Sequence, residues 1–171
     1  SKRKACINLL GLILDMLLKW FAPILSFTTE EIFQILNQDQ NSSIHLQKFP
    51  LIPQTWENEK LFKKWEKFKI IRKVVNAAME IKRANKDIGS SLEADVQVYL
   101  NEDYLKIAKD FDLSENFITS KAEAKKMISE NNLFKLNEIE DIKVLVQKAK
   151  GEKCPRCWKI FPDPCKRCSK K

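Results

Sequence analysis

Glycine and proline are scarce, three and six in 171 residues, which excludes a collagen-like repeat and a Pro/Gly-rich disordered chain. No apolar stretch runs unbroken for the thickness of a bilayer. The longest, INLLGLILDMLLKWFAPIL at 7–25, is interrupted by Asn8, Asp15 and Lys19, and each charged group would cost about 2.5–3.5 kcal/mol near the membrane centre. The expectation is a core helix and no membrane partner. The basic, apolar and small-residue succession of a secretory signal is also missing from the start SKRKAC. What remains is 44% apolar and 32% charged residues, enough for one core with a small appendage.

Net charge is +8, and the imbalance is local. Residues 57–86 hold ten Lys or Arg against four Asp or Glu, and 150–171 hold eight against two, whereas 87–149 is net negative. Two separate basic blocks suit a polyanionic partner better than a solvated face of mixed sign does.

Along 4–21, Ala5, Leu9, Leu12, Ile13, Met16, Leu17 and Trp20 recur at helical spacing with further Leu and Ile on the flanks. A helix apolar on more than one face belongs in the middle of a bundle, with Cys6 as a small core residue. Pro23 should end it, and Thr28 with Glu31 reads as a capping box opening a helix that turns Ile32, Phe33, Ile35 and Leu36 inward. Residues 37–55, with two prolines and many small polar residues, read as a surface loop.

Residues 58–84 contain no Gly or Pro and space Leu61, Phe62, Trp65, Phe68, Arg72, Val75 and Met79 at steps of mostly three and four. This predicts a helix about 40 Å long. Its outer face carries Lys60, Lys63, Lys64, Lys67, Lys69, Lys73, Lys82 and Arg83, suited to a nucleic-acid stem and equally to solvent. From Gly89 the period changes to two: Ala94, Val96, Val98 and Leu100 alternate with polar residues, as do Ile142, Val144 and Val146 later, the mark of half-buried strands. A short helix at 103–109 and a strand at 117–120 are expected between them. The organisation expected is mainly α: a helical bundle over 1–87, a small α/β module over 88–149 and a four-cysteine zinc knuckle over 150–171, with no internal repeat.

The tail GEKCPRCWKIFPDPCKRCSKK holds four of the five cysteines as two C-x-x-C pairs, Cys154/Cys157 and Cys165/Cys168. Each pair puts two sulfurs on one tight turn, and two turns complete a tetrahedral thiolate site. The seven residues WKIFPDP between the pairs can double back far enough, since sulfurs around one zinc lie within about 4 Å of one another. Pro162 and Pro164 stiffen that return. A redox dithiol would need only one pair, and disulfides an oxidising compartment. A structural zinc in a reducing cytoplasm is the expectation. Four thiolates and one zinc add a local −2, which Lys153, Arg156, Lys159, Lys166 and Arg167 stand close enough to offset. Arg156 and Trp158 flank the second cysteine, so the indole either stacks on an unpaired base or covers the metal as a miniature core.

KCPRCW after a KAKGE run, NKDIGSSLEA at 85–94, FAPILSFTTEEIF at 21–33 and SIHLQKFP at 43–50 together resemble the C-terminal part of bacterial isoleucyl-tRNA synthetases, in the family's order and over nearly the whole chain. The resemblance implies a class I aminoacyl-tRNA synthetase whose catalytic and editing domains lie upstream. The ATP-binding signatures HIGH and KMSKS are absent here, so ATP would belong to that missing domain and this fragment could not activate isoleucine by itself. The implied role is binding the anticodon arm of isoleucine tRNA, as a monomer attached to its catalytic domain. The family's zinc ligands fall on Cys154, Cys157, Cys165 and Cys168, and its Arg and Trp on Arg156 and Trp158. Further candidate RNA contacts are Lys159, Lys166, Arg167, Arg72, Lys73, Lys82 and Arg83. The loop between the cysteine pairs is shorter than the family's, which puts in doubt any contact made by the missing part.

Two other classes compete. The tail also resembles the zinc module of formamidopyrimidine-DNA glycosylases, whose catalytic N-terminal Pro and Glu are absent from SKRKAC. A purely structural interaction module is the other, and it would lack the salt-dependent RNA affinity that counterion release confers.

Overall fold

Apolar side chains recurring at steps of three and four form a helix from Lys2 to Phe21, α1, until Pro23, which has no N–H to donate, stops it. The computed structural model describes residues 1–37, 42–128, 133–165 and 168, in two compact units, Ser1–Glu57 and Asn58–Lys171.

In the first unit α1 is followed by α2, Ser26–Leu36, and by 3-10 turns at Ile44–Leu46 and Gln54–Trp56. Leu18, Ala22, Phe33 and Ile44 form its core, with Ile32 half-buried against them. Several expectations are corrected here. Most of α1 is exposed, because α2 and the first turn meet only its C-terminal end, and Cys6 is exposed with it. α2 starts at Ser26, so Thr28 lies inside the first turn and forms no capping box. Thr29 Oγ1 instead donates back to the Leu25 carbonyl at 2.9 Å. Ile35 and Leu36 face outward. The Glu30 carboxylate accepts from Gln34 Nε2 at 2.7 Å, Ser43 Oγ at 2.8 Å and the Ile44 N–H at 2.9 Å. These bonds hold its carboxyl below the usual range, Gln34 contributing most.

The second unit opens with α3, Glu59–Ala84, capped by Asn58 Oδ1, which accepts from the Leu61 N–H at 2.9 Å. Phe68, Ile71, Val74, Val75, Ala78 and Met79 are buried along it, while Leu61 and Phe62, placed inward by spacing alone, are exposed. The strands are β1 (Ala94–Leu100), β2 (Lys121–Lys126), β3 (Phe134–Leu136) and β4 (Ile139–Lys148), in the order β2-β1-β4-β3. β1 runs parallel to β2 and antiparallel to β4, and α4 (Glu102–Ala108) with α5 (Leu113–Asn116) makes the crossover from β1 to β2.

The in-register pairs Val96–Val146, Val98–Val144 and Leu100–Ile142 put one sheet face into the core with α3. Phe68 stacks on Phe111 with centroids 4.2 Å apart, and Trp65 meets Phe111 edge-on. The stretch 117–120, expected as a strand, is instead the turn leaving α5: the Phe117 N–H donates to Leu113 O at 2.9 Å and Ile118 is left-handed at φ 57°. Because α3 shares one core with the sheet, a cut near Asp87 separates chain segments and not cores. After the sheet comes a two-stranded antiparallel ribbon, β5 (Glu152–Lys153) with β6 (Ile160–Phe161).

Candidate metal centre and its basic surface

The ribbon exists because Gly151 lets its first strand approach the second. Gly151 sits at φ 122°, and a β-carbon there would lie 2.0 Å from the Phe161 carbonyl oxygen. Between the strands the chain turns through Cys154-Pro155-Arg156-Cys157, with the Trp158 N–H donating to Cys154 O and the Cys154 N–H to Lys159 O, both at 2.9 Å. The second pair turns likewise, the Cys168 N–H donating to Cys165 O at 3.0 Å.

These turns bring the sulfurs of Cys154, Cys157, Cys165 and Cys168 within 4.8 Å of one another, with Cys157 and Cys165 at 3.7 Å. Cys154 and Cys165 are buried and the other two half-buried. Four thiolates around a zinc at bonds of about 2.3 Å would stand about 3.8 Å apart, so the donor set fits a soft, four-coordinate metal ion. The backbone N–H groups of Cys157 and Arg156 point at the Cys154 sulfur and lower its thiol to about 7. Burial, then the three neighbouring cysteines, push Cys168 up to about 12. The Cys154 proton thus leaves easily, while the Cys168 proton is held chiefly by burial and by hydrogen bonds to the other sulfurs; a divalent cation would stabilise the buried thiolates.

Outside the cluster, Trp158 is 60% exposed, with Lys153 Nζ 5.8 Å from its ring centre. Its φ of 63° is unusual for a bulky residue and accompanies the turn that leaves the indole in solvent. Arg156 is exposed and Lys159 half-buried, the latter close enough to Asp112 to help hold that carboxyl down, behind the larger effects of the Glu115 N–H and the Ser114 hydroxyl. Lys166 and Arg167 lie outside the described residues. The other candidate cations are on a different element, α3. There Lys73 reaches Glu138 at 4.0 Å, Lys82 pairs with Asp87 at 2.9 Å and Arg83 with Glu80 at 2.5 Å, while Arg72 is exposed without an ion pair among the described residues.

Two residues that position the centre escape a reading of motifs. Ser120, buried at the start of β2, accepts from the Ile160 N–H at 2.6 Å and donates to the Leu92 carbonyl, so one hydroxyl ties the ribbon to the sheet. Nothing near Ser120 in sequence signals this role. For Gly151 a signal existed that the motifs do not use: it is one of only three glycines and stands three residues before Cys154.

Among the described residues no helix is long and apolar enough to cross a membrane. A family model for the anticodon-binding domain of tRNA ligases matches residues 1–100, which is α1 to β1. Over 98% of its length the chain is 46% identical to an isoleucine–tRNA ligase of Pelagibacter ubique (strain HTCC1062). Over 92% it is 41% identical to one from Bradyrhizobium diazoefficiens, and over 98% it is 38% identical to one from Natranaerobius thermophilus. It spans 17%, 16% and 20% of those proteins respectively. With more than half of its residues matched by that model, the chain belongs to the family of anticodon-binding domains of tRNA ligases.

Proposed function

We propose that this chain is the tRNA-binding, C-terminal part of an isoleucine–tRNA ligase, which in its full length joins isoleucine to its tRNA with ATP consumed in a separate catalytic domain. The observation that carries the reading is the closed four-thiol cluster presenting Trp158 and Arg156 outward, in a chain of this family. The division into 1–87, 88–149 and 150–171 is then one of tasks: stem binding, junction and anticodon-proximal metal module. Arg72, Lys73, Lys82 and Arg83 would lie along the stem, and Arg156, Trp158, Lys159, Lys166 and Arg167 near the loop.

Zinc is the ion that suits the donors, with Cys154, Cys157, Cys165 and Cys168 as ligands. Bound, it supplies rigidity and no open coordination position for chemistry. The chain's own residues do the recognising: the indole of Trp158 offers a stacking face for an unpaired base, and Arg156 charge for a phosphate. The whole enzyme acts as a monomer in the cytoplasm.

The test is the affinity of the zinc-loaded chain for isoleucine tRNA and for the same tRNA with a changed anticodon, at about 0.15 M salt, where loose phosphate contacts weaken steeply. Preference for the native anticodon is expected, and equal affinity would reduce the chain to a basic clamp. Cys157→Ser should lower zinc content and RNA affinity together, and unchanged zinc content would refute the ligand set.

A further inference from the structure

Asp95 lies on the sheet face turned away from α3, between Lys121 of β2 and Gln147 of β4, its in-register neighbours. By strand alternation it should be a solvated residue, yet its Oδ1 is buried and no donor of the described residues reaches it. A buried acceptor without a donor is unfavourable in the free protein. Beside it opens a pocket of about 380 Å³ between the end of the sheet and the ribbon, within the size range of small-ligand sites. Asp95, Lys121, Gln147, Lys148, Lys150 and Phe161 line it. The Ser120 hydroxyl, also in the wall, holds ribbon and sheet together there.

The lining selects a ligand by chemistry. A bare cation meets three lysines, and a bare anion meets the Asp95 carboxylate. The pocket suits a molecule with N–H donors at one end, an anionic group at the other and a flat apolar body that packs on Phe161. Because the chain belongs to an anticodon-binding family, we infer that this pocket takes one unpaired nucleotide of the bound RNA. The Asp95 carboxylate accepts from the amino group of a cytosine, adenine or guanine, and Lys148 and Lys150 face its phosphate, Lys121 being paired with Glu123 at 2.9 Å. This rests on the reading of the chain as a tRNA binder and adds a subsite to it, on the sheet side of the ribbon, formed by residues other than Arg156 and Trp158.

The experiment titrates the isotope-labelled, zinc-loaded chain with CMP, UMP and ribose 5-phosphate, and separately with tRNA, following backbone amide shifts. Shifts at Asp95, Gln147 and Lys148 are expected with CMP, smaller ones with UMP, which has no exocyclic amino group, and none with the sugar phosphate. Asp95→Asn should weaken CMP about tenfold, the size of one charge-assisted hydrogen bond, while melting no lower than the native chain, since the buried Oδ1 has no donor to lose. An equal response to ribose 5-phosphate, an unchanged CMP affinity in Asp95→Asn, or a lowered melting temperature in that variant overturns the subsite. So does the absence of shifts while tRNA still binds, and in that case the wider reading stands. Failure of both CMP and tRNA to bind overturns the wider reading with it.

Discussion

At Gly151 a single missing methyl group decides whether the metal ribbon can close. Gly151→Ala places a β-carbon 2.0 Å from the Phe161 oxygen at a φ of 122°, and the backbone must give way. The cost should exceed about 1 kcal/mol, seen as weaker zinc uptake in a metal titration. Gly89→Ala, where the nearest atom is a flexible Glu93 oxygen at 3.5 Å, should leave uptake unchanged. The four cysteines could be read from sequence because each ligand pair is local: two sulfurs three residues apart must share a turn. Ser120 and Asp95 could not, because their roles are set by a ribbon that meets them only after folding. In sequence Asp95 is simply the polar half of an alternating strand.

Among the elements, α2 and the turn that follows are joined by the Glu30 carboxylate, which spans Gln34, Ser43 and the Ile44 N–H. Its folded pKa is lowered, so this contribution is fully present above the unfolded value of about 4.3 and is lost as pH falls through the folded one. The protection of the Ile44 amide, taken relative to its intrinsic exchange rate at each pH, should therefore fall in acid, and Glu30→Gln should show low protection already at neutral pH. A protection of Ile44 that is the same in both proteins would deny the carboxylate this role.

Elements with a long, clean period were legible: α3, β1 and β4 stand within a few residues of their expected places. Of the short ones, α4 lies where a helix over 103–109 is expected, but others were not legible. The three residues of β3 carry too little pattern, and the Asp112-capped turn of α5 displaces the neighbouring strand to Lys121. The apolar faces of α1 signal burial that its own unit does not supply.

For the whole molecule, the two units differ in how much apolar surface they bury. Among the described residues the first has four buried core residues and the second seventeen, so the first should unfold at lower denaturant. A urea titration should be biphasic, with Trp20 reporting the early transition and Trp65, packed against Phe68 and Phe111, the late one. A single transition shared by both indoles would show the units to be coupled.

The Ser120 hydroxyl also imposes an order in time. All four sulfurs lie between Cys154 and Cys168, so a metal ion held by them would be captured by closing short loops. Ser120 and Ile160 are 40 residues apart, so their contact closes a much longer loop. A newly made chain supplied with the ion should therefore pass through an interval in which its ribbon is loaded but not yet seated.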